Sequence, residues 1–128
     1  MSPRRIGLVV PSSNTTMETE LPELFRRRSA VTGETFTWHS ARARMAHVTP
    51  EELDRMVQAS DVAVQSLADS PIDAIAYACL VAVLCRGANA HRDVKARLEN
   101  ALTDSPRQPD VVTSAGALID GLQALGAK

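Results

Sequence analysis

Among the 128 residues, the side chain best placed for chemistry is Cys79. It follows the run Ile-Asp-Ala-Ile-Ala-Tyr-Ala (72–78), short, apolar and almost free of charge, which reads as a buried strand. The residues after it, Leu-Val-Ala-Val-Leu, read as the start of a helix. A thiol at that junction faces the positive end of the helix dipole, which favours the thiolate, the reactive form. A thiolate is a soft nucleophile, suited to attack on electron-poor carbon. The other reading of the same position is a small buried hydrophobe, the ordinary fate of a free cysteine. Cys85, further along the helical stretch, is expected to be the inert thiol of the two.

A second group of candidates leaves the first strand. Ile-Gly-Leu-Val-Val (6–10) is continuously apolar, as a central strand covered on both faces would be. Pro-Ser-Ser-Asn-Thr-Thr (11–16) follows as a polar loop. Asn14 offers an amide that donates and accepts, and Ser12, Ser13, Thr15 and Thr16 add hydroxyls. Such a rim can bind a small carboxylate through neutral donors and backbone N–H groups. It can equally be no more than the cap of the next helix. Thr113 and Ser114, after the last strand, are possible further contributors. Glu18 and Glu20 read as a solvated helix start, Arg26, Arg27 and Arg28 as a charge cluster at a helix C-terminus, and Tyr77 as a strand residue with a satisfied hydroxyl.

These residues need a scaffold that brings separate loops together. Met17, Leu21, Leu24 and Phe25 recur at helical spacing, and Pro22, which must lie early in a regular helix, puts the helix at about 21–28. Residues 34–39 alternate, with Phe36 and Trp38 on one face, and predict an edge-leaning strand. Thr49-Pro50-Glu51-Glu52 predicts a capping box with proline at the first helical position. Leu53, Met56, Val57, Val64 and Leu67 continue that helix to about Asp69. Val94, Leu98 and Leu102 mark another helix, 110–113 a short strand, and 115–125 a last amphipathic helix. The alternation of strands and helices predicts an α/β fold: a flavodoxin-like, parallel four-stranded sheet with helices on both faces. Ligands in such sheets bind at the carboxyl ends of the strands, where Cys79 and the Pro11–Thr16 loop both fall.

Composition narrows the functions. Fourteen basic residues balance fifteen acidic ones, and aromatics are 3% of the chain. That argues against a nucleic-acid partner. No apolar run reaches membrane-spanning length, and the apolar stretch behind the basic N-terminus is too short for a signal peptide. Two free thiols fit a reducing compartment and a cytoplasmic location. His39, His47 and His91 are scattered and the cysteines lack zinc spacing, so no metal site is expected.

Three segments together resemble a known family. Ile-Gly-Leu-Val-Val-Pro-Ser-Ser-Asn-Thr-Thr-Met-Glu-Thr-Glu (6–20), Tyr-Ala-Cys-Leu-Val-Ala (77–82) and Val-Val-Thr-Ser-Ala-Gly-Ala-Leu (111–118) are similar to maleate cis–trans isomerase, of the aspartate/glutamate racemase superfamily, with arylmalonate decarboxylase as a relative. The resemblance implies two similar α/β domains enclosing the substrate, with a cysteine from each facing it. It implies that Cys79 is the nucleophile, that Asn14 contacts a substrate carboxylate, and that the backbone of Leu80 and Val81 lines the site. The implied reaction is cofactor-independent isomerisation of maleate to fumarate through a covalent succinyl-cysteine. It also implies a division at 113: residues 1–113 form the first domain, and 114–128 a helix leading into a second domain absent from this chain. The expected partners are a small dicarboxylate and a second domain or further copy of the chain. The alternatives are a racemase or decarboxylase acting on another small dicarboxylate, and a half-length module that grips a dicarboxylate or a partner domain without turnover. The Cys-Leu-Val-Ala context favours the isomerase over the racemase.

Overall fold

The computed structural model describes residues 2–127. Four strands, β1 (Arg4–Pro11), β2 (Phe36–Ala43), β3 (Ala74–Tyr77) and β4 (Asp110–Thr113), form one parallel sheet in the order β2-β1-β3-β4. Five helices connect and follow them: α1 (Met17–Thr32), α2 (Pro50–Ala68), α3 (Leu80–Leu84), α4 (Ala90–Ala101) and α5 (Ser114–Ala124). The chain steps from β1 to β2 in one direction and from β1's other side through β3 to β4 in the opposite one. Right-handed crossovers therefore put α1 on one face of the sheet and α2, α3 and α4 on the other.

Strand alternation divides the core accordingly. Val9, Ile75, Tyr77 and Val111 pack beneath Met56, Val57 and Val64 of α2 and Val94 and Leu98 of α4. On the opposite face Leu8, Val10 and Ala78 meet Met17 and Leu21 of α1 and Trp38 of β2. Trp38 and Phe36 sit edge-on to Phe25, with ring centroids at 5.0 and 4.8 Å, as their alternation on an edge strand anticipates. Asp73, the one charge in the apolar run before Cys79, closes the bottom of the β1–β3 ladder. Its carboxylate accepts from the Arg5 N–H at 2.7 Å, and its own N–H donates to the Arg5 carbonyl at 2.9 Å.

Several local readings are corrected. Helix α1 starts at Met17, well before the proline, and runs on to Thr32. The contacts that Met17, Leu21 and Phe25 make with the sheet outweigh the hydrogen bond that Pro22 removes from the interior of the helix. Arg26, Arg27 and Arg28 consequently lie in mid-helix rather than at its end. Arg26 and Arg27 pair with Glu23 and hold its carboxyl down at about 2, and Arg28 pairs with Glu34. Glu18 is not free in solvent but paired with Arg42 of β2. Only half of the expected capping box forms on α2. Thr49 accepts from the Glu52 N–H at 3.3 Å, but the Glu52 carboxylate turns to the N–H groups of Ala46 and His47, at 2.7 and 2.8 Å. The His47 N–H is the main reason its carboxyl lies below the ordinary range. Glu52 thereby fastens the loop between β2 and α2.

Gly7 explains how closely α2 approaches β1. A Cβ at this position would lie 3.1 Å from Leu67, 3.2 Å from Ile75 and 3.3 Å from Ile72. Gly7→Val is therefore expected to destabilise the fold by about 1–3 kcal/mol through overpacking. Chemical denaturation checks this, and a variant as stable as the parent would show that the α2–β1 contact has slack.

Candidate active site

The site is assembled by the pairing of β1 with β3, strands far apart in sequence. Val9 lies opposite Tyr77, and the Ala78 N–H donates to the Val9 carbonyl at 2.9 Å. The next residues of both chains leave the same carboxyl edge side by side: Pro11 to Asn14 from β1, and Cys79, Leu80 and Val81 from β3. On the far side Thr113 lies opposite Tyr77.

The β1 loop is held by its neighbours. The Asn14 N–H donates to the Pro11 carbonyl at 2.9 Å, closing a turn. The Ser12 N–H donates to the Ala43 carbonyl at 2.8 Å, and the Ser12 hydroxyl is engaged by the backbone of Met45. Arg42 reaches across from β2 and donates to the carbonyls of Ser12 and Asn14, at 3.1 and 3.0 Å, while pairing with Glu18. Arg42 is the residue that sequence reasoning missed. Its one signal was an arginine amid the small residues at the end of an edge strand. Asn14 turns out to serve both readings of its loop. Its Oδ1 accepts from the Met17 N–H at 3.2 Å and so caps α1, which leaves its Nδ2 amide protons to point elsewhere.

The other candidates divide. The Thr113 hydroxyl is buried and accepts from the Gly116 N–H at 3.0 Å, capping α5. Ser13 is exposed on the loop. Leu80 and Val81 are partly exposed at the start of α3, where the first backbone N–H groups lack an intrahelical acceptor. Tyr77 is a strand residue as expected, with a hydroxyl that is at best weakly satisfied. The ring is fully buried, its hydroxyl has only the neighbouring Ser60 hydroxyl to turn to, without a well-formed hydrogen bond, and burial pushes the phenol well above its ordinary range. Among the described residues no His, Cys, Asp or Glu cluster suited to a metal ion is present.

Cys79 itself departs from expectation. It is the N-cap of α3, as foreseen, but it is only 7% exposed, and α3 is five residues long. Burial pushes the thiol pKa up, and the Ala82 N–H offsets only part of that. Desolvation of a buried anion outweighs the dipole of so short a helix. Cys85, expected to be inert, is exposed, with only a long sulfur contact to the Ala82 carbonyl at 3.6 Å. None of the main cavities among the described residues is lined by Cys79 or Asn14. In one copy of the chain this edge of the sheet is therefore open to solvent, with its thiol recessed.

Sheet order and site define the class: a flavodoxin-like α/β body with a thiol and an amide on neighbouring strand ends. Its relatives are maleate isomerases. The chain is 50% identical over 125 residues to the maleate isomerase of Geobacillus stearothermophilus, covering 97% of itself and 50% of that protein. Its fold matches a crystal structure of the maleate isomerase of Pseudomonas putida S16 with a TM-score of 0.93 at 49% identity, covering 98% of this chain and 50% of that one. It matches the Nocardia farcinica maleate cis–trans isomerase, in a mutant holding a covalently bound succinylcysteine intermediate, with a TM-score of 0.91 at 45% identity over the same shares. The chain thus spans about half the length of the maleate isomerases it resembles. Arylmalonate decarboxylase shares the fold at a TM-score of 0.67 and 20% identity. No family model matches the chain.

The burial of Cys79 gives a measurable order of reactivity in the isolated chain. With a limiting thiol reagent near pH 7, Cys85 is expected to react first. Because the raised pKa leaves Cys79 mostly protonated at neutral pH, its rate is expected to keep climbing above the pH at which a free thiol levels off. Peptide mapping against pH checks both. Faster labelling of Cys79 at pH 7 would mean that its sulfur is neither recessed nor held protonated.

Proposed function

We propose that this chain is the nucleophile-bearing half of a maleate isomerase, converting maleate to fumarate once a second α/β body closes over the carboxyl edge. The observation that carries the reading is the adjacency of the Cys79 and Asn14 strand ends, in a chain similar to maleate isomerases along nearly its whole length. Residues 1–113 supply the half-site, and 114–128 reach toward the second body.

The geometry supports the following chemistry. With its Oδ1 taken by the helix, Asn14 presents Nδ2 to one carboxylate of a small dicarboxylate. The first backbone N–H groups of α3 are placed for charge that develops on the same edge. The Cys79 thiol gives up its proton and its sulfur bonds to one alkene carbon. The π pair moves to the neighbouring carbon and its carboxylate as an enediolate. Uptake of a proton there gives a succinyl-cysteine with a carbon–carbon single bond, which rotates. Loss of that proton and cleavage of the C–S bond restore the double bond in the trans arrangement, so substrate and product have the same atoms. The groups that exchange these protons belong to the second body. The chemistry needs no metal or organic cofactor, because the sulfur is both nucleophile and leaving group. Recessing the thiol keeps it neutral until the cleft closes, when donors gathered around substrate act in a dry site. The two free thiols support a reducing, cytoplasmic setting for it.

A second reading, a module that binds a dicarboxylate or a partner domain without turnover, draws on the open edge above Cys79. A chimera separates them. When this chain replaces the matching half of the Geobacillus stearothermophilus enzyme, fumarate formation followed by NMR is expected. Cys79→Ser is expected to abolish it, and Asn14→Ala to lower kcat by roughly 10²–10³-fold, the scale for losing one preorganised donor. A folded but inert chimera, or a Cys79→Ser variant within tenfold of its parent, would contradict the isomerase reading.

A further inference from the structure

The loop that carries Asn14 is steered by a side chain outside the reacting pair. On β2, Trp38 packs against the α1 face of the sheet, and Arg42, four residues on, falls on that same face beside Val10. From there its guanidinium meets the first turn of α1. Its Nη1 donates to the Ser12 and Asn14 carbonyls at 3.1 and 3.0 Å, and its Nη2 meets the Glu18 carboxylate. Glu18 directly follows Met17, whose N–H is bound by Asn14 Oδ1 at 3.2 Å. These contacts close a ring. It runs from the Asn14 carbonyl through Arg42 and Glu18 to Met17, and back to the Asn14 side chain. Both the main chain and the amide of Asn14 are held in it.

The ring also turns the peptide groups of the loop. The peptide bonds are all trans, and in a planar trans unit the N–H points opposite to the carbonyl. Carbonyls of Ser12 and Asn14 drawn to Arg42 therefore turn the N–H groups of Ser13 and Thr15 away from it. Neither N–H meets an acceptor among the described residues. Two features of the ring suit this task. A guanidinium can hold two carbonyls on one nitrogen and a carboxylate on another, a fork that the single nitrogen of lysine does not reproduce. Glu18 balances the charge, so Arg42 is not drawn off the loop by an incoming dianion.

We propose that Arg42 is a positioning residue of the half-site. It acts through the loop rather than on substrate. It fixes the direction of the Asn14 amide and of the Ser13 and Thr15 N–H groups, so that a carboxylate meets donors already aligned. The consequence for turnover rests on the isomerase reading; the bracing of the loop does not.

A double-mutant cycle in the chimera with the Geobacillus stearothermophilus half, followed by fumarate formation, tests the proposal. Arg42→Met is expected to lower kcat by about tenfold or more, and Arg42→Lys, which keeps a donor for the carbonyls, to recover part of the loss. Because Arg42 acts largely through Asn14, the losses from Arg42→Met and Asn14→Ala are expected not to multiply: the double variant keeps at least about five times the activity that their product predicts. Glu18→Gln, which loosens the guanidinium without removing it, is expected to show the same coupling more weakly, and it carries the cycle should Arg42→Met fail to fold. Amide hydrogen exchange on the 128-residue chain reads the bracing without turnover. In Arg42→Met, or in Glu18→Gln if that variant is needed, the Met17 N–H is expected to exchange several-fold faster while the amides of β3 and α2 stay protected. Losses that multiply, a parent-like kcat in Arg42→Met, or unchanged exchange at Met17 overturn the proposal. A chimera that is inert with Arg42 in place counts against the isomerase reading instead, and the exchange at Met17 then decides the bracing.

Discussion

The parallel pairing of β1 with β3 is the constraint on which the rest of the structure depends. It joins strands separated by three other elements, and its register decides which loops share an edge. With Val9 opposite Tyr77, Asn14 and Cys79 leave the sheet as neighbours. A one-residue slip would turn every β3 side chain to the other face, placing Tyr77 against α1 and Ala76 under α2. Two features secure the register: Asp73 bonds to Arg5 at the bottom of the ladder, and tight packing around Gly7 lets α2 press on the sheet. Neither touches the site, yet both set where its sulfur stands.

At the edge itself, positioning and reactivity pull against each other. The pairing that places Cys79 also recesses it, and burial disfavours the thiolate that the chemistry needs. A short helix and one backbone N–H do not overcome that. In the proposed function the missing stabilisation comes from a second body closing over the edge; the chain spans about half the length of the isomerases it resembles. Asn14 shows the complementary economy: one end of its amide is fixed by the helix it caps, and the other end is thereby aimed. Arg42 holds the carbonyls of the same loop, so the amide is braced from two strands and a helix.

Much of this was legible in the sequence. The order of elements, the parallel sheet and the strand end at Cys79 follow from apolar runs and their punctuation, because a buried strand can be written in few other ways. Asn14 and its loop were identified, but with two roles that only the geometry could join. What escaped was long-range. Pro22 argued for a late helix start, and contacts from Met17 and Leu21 to the sheet overrode it. Glu18 looked solvated because its partner, Arg42, lies on another strand. The thiolate expected at Cys79 was inferred from a local helix dipole, whereas its environment is set by a whole core.

The central claim is that Cys79 is the atom that bonds to substrate. Intact-protein and peptide mass spectrometry of the chimera, quenched during turnover of maleate, tests it most directly. The account predicts a succinyl adduct on the peptide containing Cys79, resolved from Cys85 by fragmentation. An adduct on Cys85, or sustained turnover with the Cys79 sulfur never modified, would contradict it.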